Sequence, residues 1–127
     1  MKFSYQLFRN AYYPVVPVIL LNKGKQINTS ALVDSGATLS IFNSSTGRGL
    51  GLDIESGEKR IFQGVSAKLI GYVHNITIII ADKEIQCKAA FSAELNTSFN
   101  IIGRGGIFDK FIVTFNEKSK ELTIDRN

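Results

Sequence analysis

One carboxylate in this chain lies where a charge is unfavourable unless it is paired, hydrogen-bonded or takes part in a reaction. The apolar run 31–33 (ALV) leads directly into Asp34, Ser35 and Gly36. A carboxylate at the end of a buried strand must be paired, hydrogen-bonded or engaged in chemistry, because burying a charge without a partner is unfavourable. Gly36 lets the backbone turn sharply and leaves room for a ligand to approach. These residues alone fit either a reactive acid or an ordinary turn that begins with aspartate.

The other residues whose side chains could bind a metal, or whose loops could bind a phosphate, lack the partners that such binding requires. His74 has no second histidine or cysteine at ligand spacing, and Cys87 is the only cysteine. The glycine-rich segments 47–51 and 103–106 lack the Lys-Ser/Thr pair of a phosphate-binding loop. We therefore expect no metal site and no cofactor. We interpret His74 as a partly buried or edge histidine and Cys87 as a buried apolar side chain.

The elements that must position Asp34 are predicted to be strands. Apolar residues alternate with polar ones or form short β-branched runs, and turn residues separate these segments. Helix is expected only as a short turn that residues 43–45 cap and that runs through Gly47 to Leu52, and as one or two turns within 105–110. Many short strands predict an all-β, barrel-like domain. The strands expected are 3–7, 15–21, 26–33, 39–42, 58–62, 68–80, 85–91, 111–115 and 121–124, and residues 99–102 form a short apolar segment between a polar loop and the Gly-Arg motif.

Length and composition indicate one globular domain over residues 1–127. The chain is 44% hydrophobic and 20% charged, which is typical of a folded protein. Its net charge is +4, but no dense basic cluster or basic strand face with interleaved aromatic residues occurs, so we expect no nucleic-acid partner. The longest apolar run, 15–21, is far shorter than the ~20 residues of a membrane-spanning helix. The first ten residues lack a secretory signal pattern, so we expect a cytoplasmic protein without a membrane partner.

Three motifs in the correct order resemble the retropepsin-like aspartic proteases, the single-domain family of the retroviral proteases and their cellular and prokaryotic relatives. Residues 32–38 (LVDSGAT) resemble the strand that delivers the catalytic Asp-Ser/Thr-Gly. Residues 63–67 (QGVSA) resemble the tip of the flap hairpin, and residues 101–104 (IIGR) resemble the apolar Gly-Arg segment that opens a short C-terminal helix. The resemblance covers about Val15 to Ile124. It implies a closed acid-protease barrel with one short C-terminal helix.

The resemblance also implies a homodimer, because this chemistry uses two facing carboxylates and the chain has one suitable motif. Two Asp34 side chains, one from each chain, would share a proton and activate a water molecule that attacks a peptide bond of an extended substrate. No cofactor is implied. By their positions in the motifs, the implied catalytic residues are Asp34, Ser35 and Gly36, the substrate-binding residues are Ala37, Ile41, Gly64, Val65, Ser66, Phe99 and Ile101, and the supporting residues are Thr38, Ile102, Gly103 and Arg104.

The sequence departs from the viral pattern at two places. Thr38 replaces the acidic residue that commonly pairs with the arginine of the Gly-Arg segment, so Arg104 needs another partner. The flap tip also has fewer glycines than its viral counterparts. Two alternatives to an active endopeptidase stay open: a catalytically weak or inactive retropepsin-fold module for dimerisation or peptide binding, and a basic β-barrel that binds single-stranded nucleic acid.

Overall fold

The computed structural model describes residues 1–63, 68–95 and 99–127. Within these ranges the chain is mostly β, as predicted, with one short α-helix, α1 (Ser44–Gly49), and a 3₁₀ turn at Ile54–Ser56. The strands are β1 (Lys2–Ser4), β2 (Gln6–Phe8), β3 (Ala11–Tyr13), β4 (Val15–Asn22), β5 (Lys25–Val33), β6 (Ser40–Asn43), β7 (Glu58–Gln63), β8 (Lys68–Ile80), β9 (Lys83–Ser92), β10 (Asn100–Ile102), β11 (Phe111–Asn116) and β12 (Glu121–Arg126).

The largest sheet has the strand order β4-β5-β10-β6-β9-β8-β7, and β4 pairs with β8 as well. The predicted hairpins β4–β5 and β7–β8 are confirmed as antiparallel pairs. β10 inserts between β5 and β6, parallel to the former and antiparallel to the latter. This insertion brings Ile102 opposite Val33, so the segment before Gly103 lies beside the strand that ends at Asp34.

Alternation of side chains across the strands builds the main core. Val16, Val18 and Leu20 of β4 are buried, while Pro17 between them is exposed, as the two-residue period of a strand requires. Ile76, Ile78 and Ile80 of β8 show the same alternation and belong to the same buried cluster. The cluster also includes buried residues of the terminal strands, namely Phe111, Leu122 and Ile124.

The chain ends form a separate three-stranded sheet in the order β1-β12-β11. The strand predicted over residues 3–7 is interrupted at the buried Tyr5, whose backbone N–H donates to the Lys120 carbonyl at 2.8 Å. Residues before this point pair with β12, and residues after it pair with β3 in a two-stranded sheet. One alternating run therefore serves two sheets, a division that alternation alone does not reveal.

One of the two predicted helical segments is confirmed and the other is wrong. Asn43 caps α1 as predicted, with its side-chain oxygen accepting from the Ser45 N–H at 2.9 Å. The expected C-terminal helix is wrong: residues 105–110 form successive turns, with Gly106 at a φ of +75°. A residue in this left-handed conformation interrupts the helical hydrogen-bond pattern. In the described ranges, no helix is long and apolar enough to cross a membrane.

Candidate active site

Asp34 lies immediately after β5, where two neighbouring segments hold its backbone. The Asp34 N–H donates to the Ile102 carbonyl at 2.9 Å, and the preceding N–H, that of Val33, donates to the Pro14 carbonyl at 2.9 Å. Both bonds are long-range in sequence, so the position of the carboxylate depends on β10 and on the residue directly before β4. The side chain itself is half-buried and reaches solvent.

The loop after Asp34 folds back onto the carboxylate. The Gly36 N–H donates to Oδ1 of Asp34 at 2.8 Å, and the Ala37 N–H donates to the Asp34 carbonyl at 3.3 Å. A Cβ atom on Gly36 would lie 3.2 Å from the same Oδ1, closer than an ordinary contact. Glycine therefore allows the amide to approach the carboxylate and fixes the orientation of the acid, while Ser35 and Gly36 remain exposed.

A clamp of three hydrogen bonds joins this loop to the Gly-Arg segment. The Arg104 N–H donates to the Ala37 carbonyl and the Gly105 N–H donates to the Thr38 carbonyl, both at 2.9 Å. The Gly103 N–H donates to Oγ of the fully buried Ser40 at 3.0 Å. The structure thus brings the first and third sequence motifs together.

Close packing reinforces the clamp at Gly103. A Cβ atom there would lie 2.5 Å from the backbone carbon and oxygen of Leu39. Backbone cannot move aside as a flexible side chain can, so a side chain at this position would push the two segments apart. Gly103 is needed at this point because the two backbones approach each other so closely.

A cavity of about 380 Å³ opens beside the carboxylate. It is lined by Asp34 and Ser35 together with side chains that the sequence analysis did not assign to the site. Among the described residues that line it, Asp34 is the only acid. The added lining residues come from the end of β3, the residue between β3 and β4, the end of β5, and β11: Tyr13, Pro14, Leu32, Val33 and Phe115.

No protein-family model matches the chain, and no curated protein sequence is significantly similar to it. Among solved structures, the EIAV protease complexed with the inhibitor HBY-793 is similar, with a TM-score of 0.56 and 18% sequence identity. The alignment covers 78% of this chain and 88% of that protein. The chain has a retropepsin-like fold. At this identity the similarity establishes the fold alone, because one fold can serve several functions.

In this retropepsin-like fold, part of the predicted substrate wall forms a second apolar cluster. Ile41 of β6 lies opposite Ile101 of β10, and Ile41 is buried while Ile101 is half-buried. Phe62 and Leu69, which pair next to the turn end of the hairpin β7–β8, pack against the same cluster. The hairpin therefore contacts the predicted wall directly. The predicted flap-tip residues Gly64, Val65 and Ser66 lie outside the described residues.

Phe99, the other predicted wall residue, joins an aromatic cluster with the N-terminal hairpin β2–β3. Its ring centroid lies 5.2 Å from that of Phe8 and 5.2 Å from that of Tyr13. Tyr13 also lines the Asp34 cavity, so this cluster links the predicted wall to the N-terminal hairpin. In the sequence, the one signal at Tyr13 is its position directly before Pro14.

The predicted supporting residues Thr38, Ile102, Gly103 and Arg104 all lie in or beside the clamp, but the Arg104 side chain serves no ion pair. It is exposed, and the part of the chain that the structure describes has no carboxylate within 4.0 Å of it. The clamp uses the Arg104 backbone instead. Because Thr38 carries no carboxylate to pair with Arg104, backbone hydrogen bonds from Arg104 and Gly105 hold the loop to the Gly-Arg segment.

A larger cavity of about 570 Å³ lies away from Asp34, between the β4–β5 turn and the strands β8 and β9. Cys87 lines it, but burial raises the pKa of this thiol to about 11, so the reactive thiolate is scarce at neutral pH. Nε2 of His74 lies 2.8 Å from the Ile54 carbonyl oxygen, and the ring is half-buried, as predicted. Over the described ranges, no group of three metal-ligating side chains is close enough to hold an ion.

Proposed function

We propose that the protein is an aspartic endopeptidase that hydrolyses peptide bonds with two Asp34 carboxylates, one from each chain of a homodimer. One observation carries the proposal: within a retropepsin-like fold, Asp34 ends a strand beside an open cavity, with its carboxylate oriented by the Gly36 amide. An ordinary turn aspartate would not need the buried clamp that holds the following residues in place.

The need for a second chain follows from the chemistry. A water molecule that attacks an amide carbonyl must lose a proton, and the carbonyl oxygen must receive one. The cavity beside Asp34 has no second acid among its described lining residues, so one chain supplies half of this pair. A symmetric dimer would place a second Asp34 opposite the first.

Two carboxylates about 3 Å apart do not both ionise readily, and the pair therefore shares one proton. The ionised Asp34 removes a proton from the bridging water while the water oxygen forms a bond to the carbonyl carbon. The protonated Asp34 donates to the carbonyl oxygen and stabilises the resulting gem-diol. Collapse of this intermediate breaks the C–N bond as the leaving nitrogen is protonated. Ser35 is exposed at the loop, where its hydroxyl is proposed to bond across to the partner chain's backbone.

The proposed substrate is an extended peptide. Ala37, Ile41, Phe99 and Ile101 would line the pockets, and Gly64, Val65 and Ser66 would form the flap tip that pairs with the peptide as an added strand. The apolar cluster between β6, β10 and the turn end of β7–β8 supports this arrangement. We expect a preference for apolar residues beside the cleaved bond.

Other features of the chain support further parts of the proposal. The pairing of β4 with both β5 and β8 supports a closed barrel. The shared buried cluster of the terminal strands and the large sheet supports one domain over residues 1–127. A single half-buried cysteine suits the reducing cytoplasm, where we place the protein. We propose neither a nucleic-acid nor a membrane partner.

The test is cleavage of a mixed peptide library by purified protein between roughly pH 3 and 7. We expect cleavage that pepstatin-type inhibitors block and that Asp34→Asn abolishes while the protein stays folded. Cleavage that persists at the wild-type rate in Asp34→Asn would exclude this mechanism. A dimer that binds peptides without cutting them would instead support the alternative, a peptide-binding module.

A further inference from the structure

We propose that Ser92 and Glu94 are positioning residues that hold the hairpin β7–β8 against the predicted substrate wall. In this role they govern how tightly a substrate binds rather than how fast its peptide bond breaks. The inference deepens the proposed function and rests on it for the substrate, an extended peptide with apolar residues beside the cleaved bond. It adds two residues that belong to none of the three sequence motifs.

The turn end of the hairpin β7–β8 extends past the strand that flanks it. β8 pairs with β9 only as far as Tyr72, which lies opposite Phe91. From there to Lys68, β7 is the only described strand that pairs with β8, and β7 is itself terminal in the sheet. A two-stranded segment is only marginally stable by itself. Its position therefore depends on contacts with neighbouring segments.

Two side chains make such a contact at Ile70, the third residue of β8. Oε1 of Glu94 accepts the Ile70 N–H at 2.9 Å, and Oγ of Ser92 donates to the Ile70 carbonyl at 2.6 Å. If the register of β8 and β9 continued, Ala93 would lie opposite Ile70. The side chains on either side of Ala93 thus satisfy the backbone groups that a longer β9 would satisfy. We call this pair of side chains the Ser92–Glu94 anchor.

The anchor is ordered by its own hydrogen bond. Ser92 is buried, and its Oγ also accepts the Glu94 N–H at 3.1 Å. Glu94 is exposed, and among the described residues no cation lies within 4.0 Å of its carboxylate. The Ile70 amide is therefore the partner of this carboxylate. A hydrogen bond to an ionised acceptor is stronger than one between neutral groups.

The anchor is continuous with the apolar cluster of the predicted substrate wall. Leu95, the next residue after Glu94, is buried in that cluster together with Ile41. In the hairpin, Phe62 pairs with Leu69 directly beside Ile70, and both side chains pack against the same cluster. The position of Ile70 therefore fixes where the hairpin meets the wall.

Asp34 is held by other segments, so loss of the anchor should leave the acid in place. The Asp34 N–H bonds to Ile102, and the loop after it is attached to Arg104 and Gly105. None of these bonds involves the hairpin. A hairpin that shifts away from the wall would thus weaken contacts with the substrate and leave the chemistry of the acid largely unchanged.

The first experiment measures KM and kcat for a peptide with phenylalanine on both sides of the cleaved bond. We expect Glu94→Ala to raise KM about tenfold and to change kcat by less than about threefold, the pattern of an interaction that contributes equally to ground-state and transition-state binding. Glu94→Gln should recover most of the loss, because its amide oxygen can accept the Ile70 N–H. Glu84→Ala is the matched control, since Glu84 is also an exposed glutamate of β9 and should behave as the wild type does.

The second experiment measures amide hydrogen exchange by NMR without any substrate. In Glu94→Ala the Ile70 amide should exchange about tenfold faster than in the wild type, because it loses its acceptor. The amide of Ile78, in the part of β8 that pairs with β9, should keep its wild-type rate. A general loss of stability would accelerate both amides, whereas loss of the anchor accelerates the first alone. Glu94→Gln should protect Ile70 nearly as the wild type does.

The outcomes separate this inference from the proposed function. If Glu94→Ala matches Glu84→Ala in KM or in Ile70 exchange, or if its kcat falls as much as its KM rises, the inference is wrong even though the protein cleaves peptides. If the wild type binds the peptide without cleaving it, Kd replaces KM. Weaker binding by Glu94→Ala with faster Ile70 exchange would then support the anchor and refute the protease. A wild type that neither binds nor cleaves the peptide would overturn both proposals.

Discussion

Replacing Ser40 by alanine tests whether the clamp beside Asp34 holds the candidate active site together. Ser40 is fully buried, and its Oγ accepts the N–H of the buried Gly103 at 3.0 Å. Ser40→Ala leaves that N–H without its partner in a place that water does not reach. An unsatisfied buried donor costs about 1–3 kcal/mol, so the free energy of unfolding should fall by that amount. The melting temperature should fall by about 4 °C for each kcal/mol.

The activity of this variant should fall further than its stability explains. The clamp positions Ala37 and Thr38, which follow Asp34 directly, and a shift of about 1 Å at a catalytic group can reduce a rate about 100-fold. We expect kcat to fall about 10- to 100-fold at a temperature where the variant remains folded.

The assay combines chemical denaturation at a fixed protein concentration with peptide cleavage. Ser45→Ala is the control, because Ser45 is exposed in α1 and its backbone N–H, rather than its hydroxyl, makes the capping bond. It should stay within about 0.5 kcal/mol of the wild type with unchanged activity. If Ser40→Ala behaves like this control in both measurements, the clamp does not organise the loop and our reasoning about it is wrong.

Two further changes address the carboxylate and the thiol. Gly36→Ala places a methyl group 3.2 Å from Oδ1 of Asp34. We expect kcat for peptide cleavage to fall at least about tenfold, while the free energy of unfolding, measured by denaturation, falls by less than about 1 kcal/mol. A rise in KM with kcat unchanged would contradict this expectation. Burial raises the pKa of Cys87 from 9.0 to about 11, so the unfolded thiol ionises first as pH rises. The stability that this difference contributes is complete below pH 9 and is lost between about pH 9 and 11. Denaturation curves should show this loss in the wild type and not in Cys87→Ser, and identical profiles would count against the burial effect.

Much of the strand pattern could be predicted because its causes are local. The two-residue alternation of buried side chains in β4 and β8 is written directly in the sequence. The turn between β4 and β5 was predictable too, since Gly24 adopts a φ of +80° there. The helix expected over 105–110 is wrong because Gly106 adopts a φ of +75°, and a Cβ atom there would lie 2.8 Å from Cβ of Cys87, a neighbour that the local sequence does not reveal.

For the same reason, only some residues of the candidate site could be predicted from the sequence. Asp34 and its glycine could be found from the apolar run and the turn that follows it. Phe115 and Tyr13 could not, because β11 and the N-terminal hairpin reach the Asp34 cavity only through long-range packing. Phe99 follows the same rule: its aromatic partners Phe8 and Tyr13 lie at the other end of the chain.

From the sequence alone, most of the strands, the candidate acid Asp34 and the motifs that resemble a known family could be read. Only the tertiary structure shows that β10 inserts between β5 and β6, that the Gly-Arg segment clamps the loop after Asp34, and that β11 pairs with β12 at one end of the terminal sheet. The reason is physical. Side-chain alternation and turn chemistry act between near neighbours in the chain, whereas strand order results from which apolar faces can be buried together.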